Sequence, residues 1–221
     1  MTVLNYPSDW FIDAATLDAV KGSLPTLLKF YEEDGLEDMG VLPILDLVKE
    51  PLKECYTIPL FSEEFCKLLL QLVKNHTFKP NDDEDGLRQI PEIILSEQLP
   101  ELYTSMMCIT KAVIEPILSS LWGCHIHSAH IQVANYNPRD KKQGAWHHDI
   151  TSDITIVVPL NTGEYTGGGT EFMRRGVVEP LPNGSALMFP SLTHMHRGLP
   201  VSEGDRYLLV FWLKCGDANE K

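Results

Sequence analysis

Seven of the chain's eight histidines fall in three groups: His125, His127 and His130; His147 and His148; His194 and His196. No HExxH is present for a helical zinc protease, and no HxE with PCxxC for a zinc deaminase. What remains is His147-His148-Asp149 just before a strand-like run, with His196 on a distant one. On an extended chain, residues two apart face the same side, so His147 and Asp149 present a nitrogen and an oxygen together. A third ligand from another strand then completes one face of an octahedron. Two His and one carboxylate leave the remaining positions on Fe(II) open for a co-substrate and O2. Arg206, ten residues beyond His196 in HRGLPVSEGDRY, sharpens this reading. If His196 ends one strand and Arg206 begins the next, the guanidinium faces back toward the metal. Its planar fork can hold a dicarboxylate bidentately, which Lys does less specifically. The residues alone point to an iron site with an anionic co-substrate.

The other candidates are weighed against blander roles. His148 points away from His147 on a strand, so it reads as a neighbour of the site or a surface residue. His194 shares a face with His196 and is the weaker ligand candidate, with a packing or substrate role open to it. His125, His127 and His130 mimic a metal cluster but sit on a strand and its entry turn, where solvated or hydrogen-bonded His is the better reading. Gly167-Gly168-Gly169 is no phosphate loop, because no GK[ST] follows it. Backbone permissiveness is the expected reason for it. Trp122, Trp146 and Trp212 read as packing residues, with Trp146 placed to wall a pocket beside His147. Five cysteines, odd in number and without CxxC, read as reduced and mostly buried thiols of a cytoplasmic protein.

The elements that position these residues divide by texture near residue 54. Residues 1–54 read as a helical arm or lid, with Leu24, Leu27, Leu28 and Tyr31 at helical spacing. TIPLF then reads as a short strand, and Ser62 caps a helix running to about Asn75, with Glu63 and Glu64 in its first turn. NDDEDG (81–86) is an acidic loop without EF-hand spacing. Pro100 opens a second long helix that is disturbed near Pro116. Strand-like runs follow at 127–136, 153–160, 170–174, 185–189 and 206–213. Ile154, Ile156, Val158 and Leu160 share one face by the period of two. This pattern predicts an α+β protein with a β-sandwich or jelly-roll core flanked by N-terminal helices. The 221 residues carry a net charge of −13, which disfavours a phosphate-backbone binder of nucleic acid. No apolar run is long enough to cross a bilayer, and MTVLNYPSDW lacks the character of a secretory signal.

The stretches WHHDITSDITIVVPLN, GGGTEFMRR and LTHMHRGLPVSEGDRYLLVFWL, with IPLFSEEFC upstream, resemble the catalytic domain of the procollagen lysyl hydroxylases. These belong to the Fe(II)/2-oxoglutarate dioxygenases, and the resemblance runs from about Tyr56 to Leu213. It implies a double-stranded β-helix core in a catalytic domain spanning residues 55–221. It also implies Fe(II), 2-oxoglutarate and O2, with ascorbate as a candidate reductant. His147, Asp149 and His196 match the family's iron ligands. Arg206 matches the residue that binds the distal carboxylate of 2-oxoglutarate, and Tyr136 a hydroxyl that helps to hold it. The substrate implied is a protein or peptide side chain, lysine first. Peptidyl proline, a small molecule such as an amino acid, and a non-catalytic jelly-roll module are the alternatives. Homodimer formation is implied as well. Two positions depart from the family: Thr170 stands where Cys is usual, and Arg197 where an acidic residue follows the distal His.

Overall fold

Alternation with a period of two in the longest strands decides which way each face of the main sheet looks. The computed structural model describes residues 11–32, 43–80, 89–141 and 143–216. The NDDEDG loop lies outside the described residues. The strands are β1 (Lys49–Leu52), β2 (Cys55–Pro59), β3 (Glu92–Ile94), β4 (His125–Tyr136), β5 (Ile154–Pro159) and β6 (Thr166–Gly167). They continue as β7 (Thr170–Phe172), β8 (Gly176–Val178), β9 (Ser185–Pro190), β10 (His196–Gly198), β11 (Val201–Glu203) and β12 (Arg206–Gly216). Seven of them form one antiparallel sheet in the order β1-β2-β9-β5-β12-β4-β3. The ladders β10-β7-β8 and β11-β6 make up the shorter side.

Strand β12 pairs with β4 along its length, placing Arg206 opposite Tyr136, Leu208 opposite Ala134 and Trp212 opposite His130. The odd positions of β12 (Tyr207, Leu209, Phe211 and Leu213) turn to the helices. There they join Ile154, Ile156, Val158 and Leu160, as the alternation predicts. Each Leu or Phe buried in this way contributes about 1.5–3 kcal/mol. The even face turns to the short strands: Phe172 and Val178 pack on Leu187 and Phe189, and Val201 packs on Ala134, Leu208 and Val210.

The helices α1 (Ala14–Glu32), α2 (Glu63–Val73), α3 (Leu95–Gln98), α4 (Pro100–Ile109) and α5 (Glu115–Trp122) cover the odd face. Ser62 caps α2 by accepting the Phe65 N–H at 3.1 Å, the role its position predicts. Between α4 and α5 the chain makes a π turn at Thr110–Ile114. Pro116 has no N–H to donate there, and the wider turn carries the helix past the gap. From the 1–54 segment, Ile12 bridges Phe61, Asp13 N donates to Leu60 O at 3.0 Å, and β1 forms the sheet edge beside β2. All five cysteines are free. Only Cys55 and Cys66 are buried, and the sulfurs of Cys124 and Cys215 lie 3.0 Å apart. Among the described residues, no helix is long and apolar enough to cross a membrane.

Candidate iron and 2-oxoglutarate site

A cavity of about 780 Å³ opens between the even face of the main sheet and the short strands. His147, Asp149, His196, Arg206 and Tyr136 all line it. His147 and His196 meet as an isolated antiparallel bridge, with His147 N donating to His196 O at 3.0 Å and His196 N to His147 O at 2.9 Å. His196 opens β10 rather than ending a strand, and β11 intervenes before Arg206. The chain therefore makes two short rungs, β10 and β11, before the strand that Arg206 begins.

Each imidazole uses one nitrogen to fix its orientation. Nδ1 of His147 contacts Ala145 O at 2.8 Å, and Nδ1 of His196 contacts His194 O at 2.9 Å. A donated Nδ1–H puts the lone pair of each ring on Nε2, the nitrogen that would bind a metal. The Nε2 atoms stand 3.3 Å (His147) and 3.7 Å (His196) from the Asp149 carboxylate. One ligand atom from each of the three residues lies within 4.8 Å of the others. Burial pushes the His196 pKa down to about 4, keeping the ring neutral as a ligand must be. Burial would raise that of Asp149, but the hydrogen bond with His147, the neighbouring rings and the Thr155 hydroxyl outweigh it and hold the carboxyl near 2. A nitrogen, nitrogen, oxygen set of this kind, open to a cavity on one side, fits Fe(II).

The carboxylate is held from behind by residues that carry no sequence motif. Thr155 Oγ1 donates to Asp149 Oδ2 at 2.5 Å and meets Ser191 Oγ at 2.8 Å. Ser152 Oγ donates to Ser191 Oγ at 2.9 Å, and Ser152 N to Asp149 O at 3.1 Å. The three hydroxyls are buried. Thr155 alone was findable from the sequence, since it lies on the opposite face of β5 from Ile154 and Ile156.

Arg206 is 3% exposed, and its Nε and Nη1 are buried without a hydrogen-bond partner among the described residues. Unpaired guanidinium nitrogens beside a cavity call for an anion, so the distal carboxylate of 2-oxoglutarate fits this end. The Arg206 guanidinium lies 5.5 Å from the centroid of the Tyr136 ring, across the β4–β12 register. Gly168 closes the other side at φ +81°; an added Cβ would come within 3.2 Å of Arg206 Cδ and 3.0 Å of Tyr165. The glycine run thus serves close backbone approach, as its sequence context suggests.

The remaining candidates separate clearly. His148 lines the cavity outside the ligand group, half-buried. The His194 ring turns away to Thr193 Oγ1 at 2.9 Å and Lys53 O at 3.3 Å. His125 and His127 stay off the cavity, whereas His130 lines it beside Trp212, at a ring distance of 5.5 Å. Trp212 is therefore a wall residue rather than simple packing. Trp146 is covered by the Arg197 guanidinium at 4.6 Å, and Arg197 is paired with Glu171 opposite it at 2.6 Å.

With this geometry in hand, the class is defined by comparison. Residues 131–214, which include Tyr136, His147, Asp149, His196 and Arg206, match the model of the 2OG-Fe(II) oxygenase superfamily. The family implies Fe(II), 2-oxoglutarate and O2. Among curated relatives, the chain is similar to the human multifunctional procollagen lysine hydroxylase and glycosyltransferase LH3, with 29% identity over 74% of this chain and 24% of that protein. It is also similar to rat procollagen-lysine,2-oxoglutarate 5-dioxygenase 1, with 30% identity over 74% of this chain and 24% of that protein. The chain thus spans about a quarter of the length of these relatives. Among solved structures, it resembles the viral collagen prolyl hydroxylase of Paramecium Bursaria Chlorella virus-1, with a TM-score of 0.54, 21% identity, and 74% and 97% of the two chains covered. A Burkholderia pseudomallei 2OG-Fe(II) oxygenase family protein gives a TM-score of 0.56 at 16% identity, covering 73% of this chain and 86% of that one. These structures place the fold as the double-stranded β-helix that the sequence leads one to expect.

Proposed function

We propose that this chain is an Fe(II)- and 2-oxoglutarate-dependent dioxygenase that hydroxylates an unactivated C–H bond of a protein or peptide side chain, lysine first. The observation that carries the reading is one cavity holding both the His147, Asp149 and His196 group and the unpaired guanidinium nitrogens of Arg206. In this reading His147, Asp149 and His196 hold the iron, while Arg206 and Tyr136 hold the far carboxylate of 2-oxoglutarate. Bound Fe(II) supplies oxidative decarboxylation of 2-oxoglutarate by O2, coupled to C–H hydroxylation. The chain's own groups keep both imidazoles in one tautomer, hold Asp149 ionised and exclude bulk water from the guanidinium end. Lysine stands first because the curated relatives are named as lysine hydroxylases acting on procollagen. Within the chain, residues 55–221 form the catalytic unit, and the segment before them braces the sheet. Homodimer formation belongs to the same reading.

The test is O2-dependent succinate formation from 2-oxoglutarate with added Fe(II), first without a prime substrate. Lysine peptides, proline peptides and free amino acids are then supplied in parallel. Succinate stimulated by lysine peptides, with a +16 Da product, is the expected result. Stimulation by proline peptides or free amino acids alone would move the substrate assignment. No succinate under any condition, and no anaerobic Fe(II)/2-oxoglutarate absorption band, would leave a binding module.

A further inference from the structure

The strand pair that carries Tyr136 and Arg206 brings two sulfurs together at its opposite end. Helix α5 closes at Trp122, and Gly123 ends it in the left-handed region at φ +64°, its N–H donating to Ser119 O at 2.9 Å. That turn delivers Cys124 directly to the start of β4. At the far end of β12 the register with β4 slips between Lys214 and Cys215. Cys215 therefore stands opposite Ile126, where an unbroken ladder would set it opposite His127. The slip draws Cys215 one residue closer to Cys124. Cys215 N donates to Asp153 Oδ2 at 2.9 Å, which fixes the backbone there. The two sulfurs come within 3.0 Å of each other against the helix-facing core, with both residues half-buried.

The other thiols have different surroundings. Cys55 and Cys66 are fully buried, and burial pushes both thiols up to about 12, which keeps them protonated and unreactive. Cys108 is exposed on α4. In the pair, the hydrogen bond shared by the two thiols lowers the pKa of Cys215 and raises that of Cys124, while burial raises both. Cys215 is thus the sulfur that ionises first and attacks. A soft metal ion needs more ligands than two thiolates. Among the described residues, the one cluster of three or more metal-binding side chains is that of His147, Asp149 and His196. We infer that Cys124 and Cys215 are a redox-active pair that closes to an intramolecular disulfide by exchange with a low-molecular-weight disulfide. The Cys215 thiolate attacks one sulfur of that reagent and expels the other half as a thiolate. Cys124, on losing its proton, attacks the Cys215 sulfur of the mixed disulfide and expels the second half. One S–S bond forms in the chain and one breaks in the reagent. Two electrons pass to the reagent, whose halves take up the two protons and leave as thiols. The new bond spans 91 residues, and Tyr136, His147, Asp149, His196 and Arg206 all lie within that span. Closure therefore staples the stretch that carries the whole site, whatever reaction the site performs.

The experiment equilibrates the full chain without O2 in glutathione buffers of rising oxidised fraction, quenches it in acid, then unfolds and alkylates it. Free thiols should fall from five to three in a single transition, with a mass about 2 Da lower and a cross-linked peptide joining Cys124 to Cys215. The closed form should melt about 5–10 °C above the dithiol form, as expected when a long loop is tied in the unfolded chain. Cys124→Ser should stop at a mixed disulfide of Cys215 with glutathione, whereas Cys108→Ser should close as the wild type does. Five free thiols at every buffer composition in the wild type, which needs no variant to fold, would overturn the inference. So would a glutathione adduct that persists in the wild type, or a disulfide mapped to any other pair. Equal melting temperatures for the closed and open forms would overturn the stapling role.

Discussion

The two sides of the cavity are built by different means. On one side a seven-stranded sheet, buried on its far face by helices, presents Arg206 and Tyr136 from a continuous ladder. On the other, His196 sits on a three-residue strand, and His147 and Asp149 lie outside any strand of the sheet. The metal-ligand side is held by polar contacts: the two-bond bridge between the histidines, the carbonyls on their Nδ1 atoms and the hydroxyls behind Asp149. Apolar packing thus fixes where Arg206 and Tyr136 sit, and hydrogen bonding fixes where His147, Asp149 and His196 sit. Damage on the short side should fall on the metal alone, and damage on the sheet side should reach the co-substrate.

The largest effect is expected for His196→Ala. Succinate formation should drop by about 1,000-fold or more, and the anaerobic Fe(II)/2-oxoglutarate band should vanish. The melting temperature should hold, because no apolar ladder is broken. A large fall in melting temperature would break the contrast. Arg206→Ala tests the other side: the 2-oxoglutarate concentration needed for half-maximal turnover should rise about 100-fold, with Fe(II) affinity little changed in direct titration. Equal losses in both titrations would merge the two sides.

Acidification sharpens the contrast without a mutation. Burial depresses the His196 pKa from 6.5 to about 4 and lowers that of His194 as well. As pH falls the unfolded chain takes up these protons first, so stability is fully present above pH 6.5 and is lost toward pH 4. For His196 alone the loss is about 3 kcal/mol. Urea midpoints of the metal-free protein across that range should fall steadily. A flat profile would show that the histidines are not buried neutral. Thr155→Val keeps the shape and removes the hydroxyl on Asp149, so Fe(II) or Co(II) affinity should weaken about 10-fold at near-constant 2-oxoglutarate affinity. The smallest change is Gly168→Ala. Its positive φ and the 3.2 Å approach to Arg206 should cost about 1 kcal/mol of stability and raise the 2-oxoglutarate requirement a few-fold. Thermal melts and the succinate assay read both.

The same contrast explains what the sequence disclosed. Long apolar ladders write themselves into a chain, so β5 and β12 and the face shared by Ile154, Ile156 and Val158 are legible. The HxD pair, His196 and Arg206 stand out in the sequence because the proposed iron and carboxylate chemistry would call for those residue types, and the structure brings them to one cavity. The rungs β6, β8, β10 and β11 are not, because two or three residues carry no period. Ser191 lies in a turn 36 residues from the Thr155 it meets, and nothing local marks it. Trp212 and His130 could have been placed in the cavity from Arg206 onward, since 206, 208, 210 and 212 share a face. Trp212, which reads as packing on composition alone, lines the cavity by that period.

The bridge between His147 and His196 also has a consequence for how the chain reaches its native state. The two residues are separated in the chain by β5, β6, β7, β8 and β9. Contacts of such long sequence separation pay their loop entropy early and form slowly. The ligand set is therefore assembled at the close of folding and offers no nucleus at its start. Iron added to the unfolded chain should not speed refolding, whereas its capture should track the last kinetic phase.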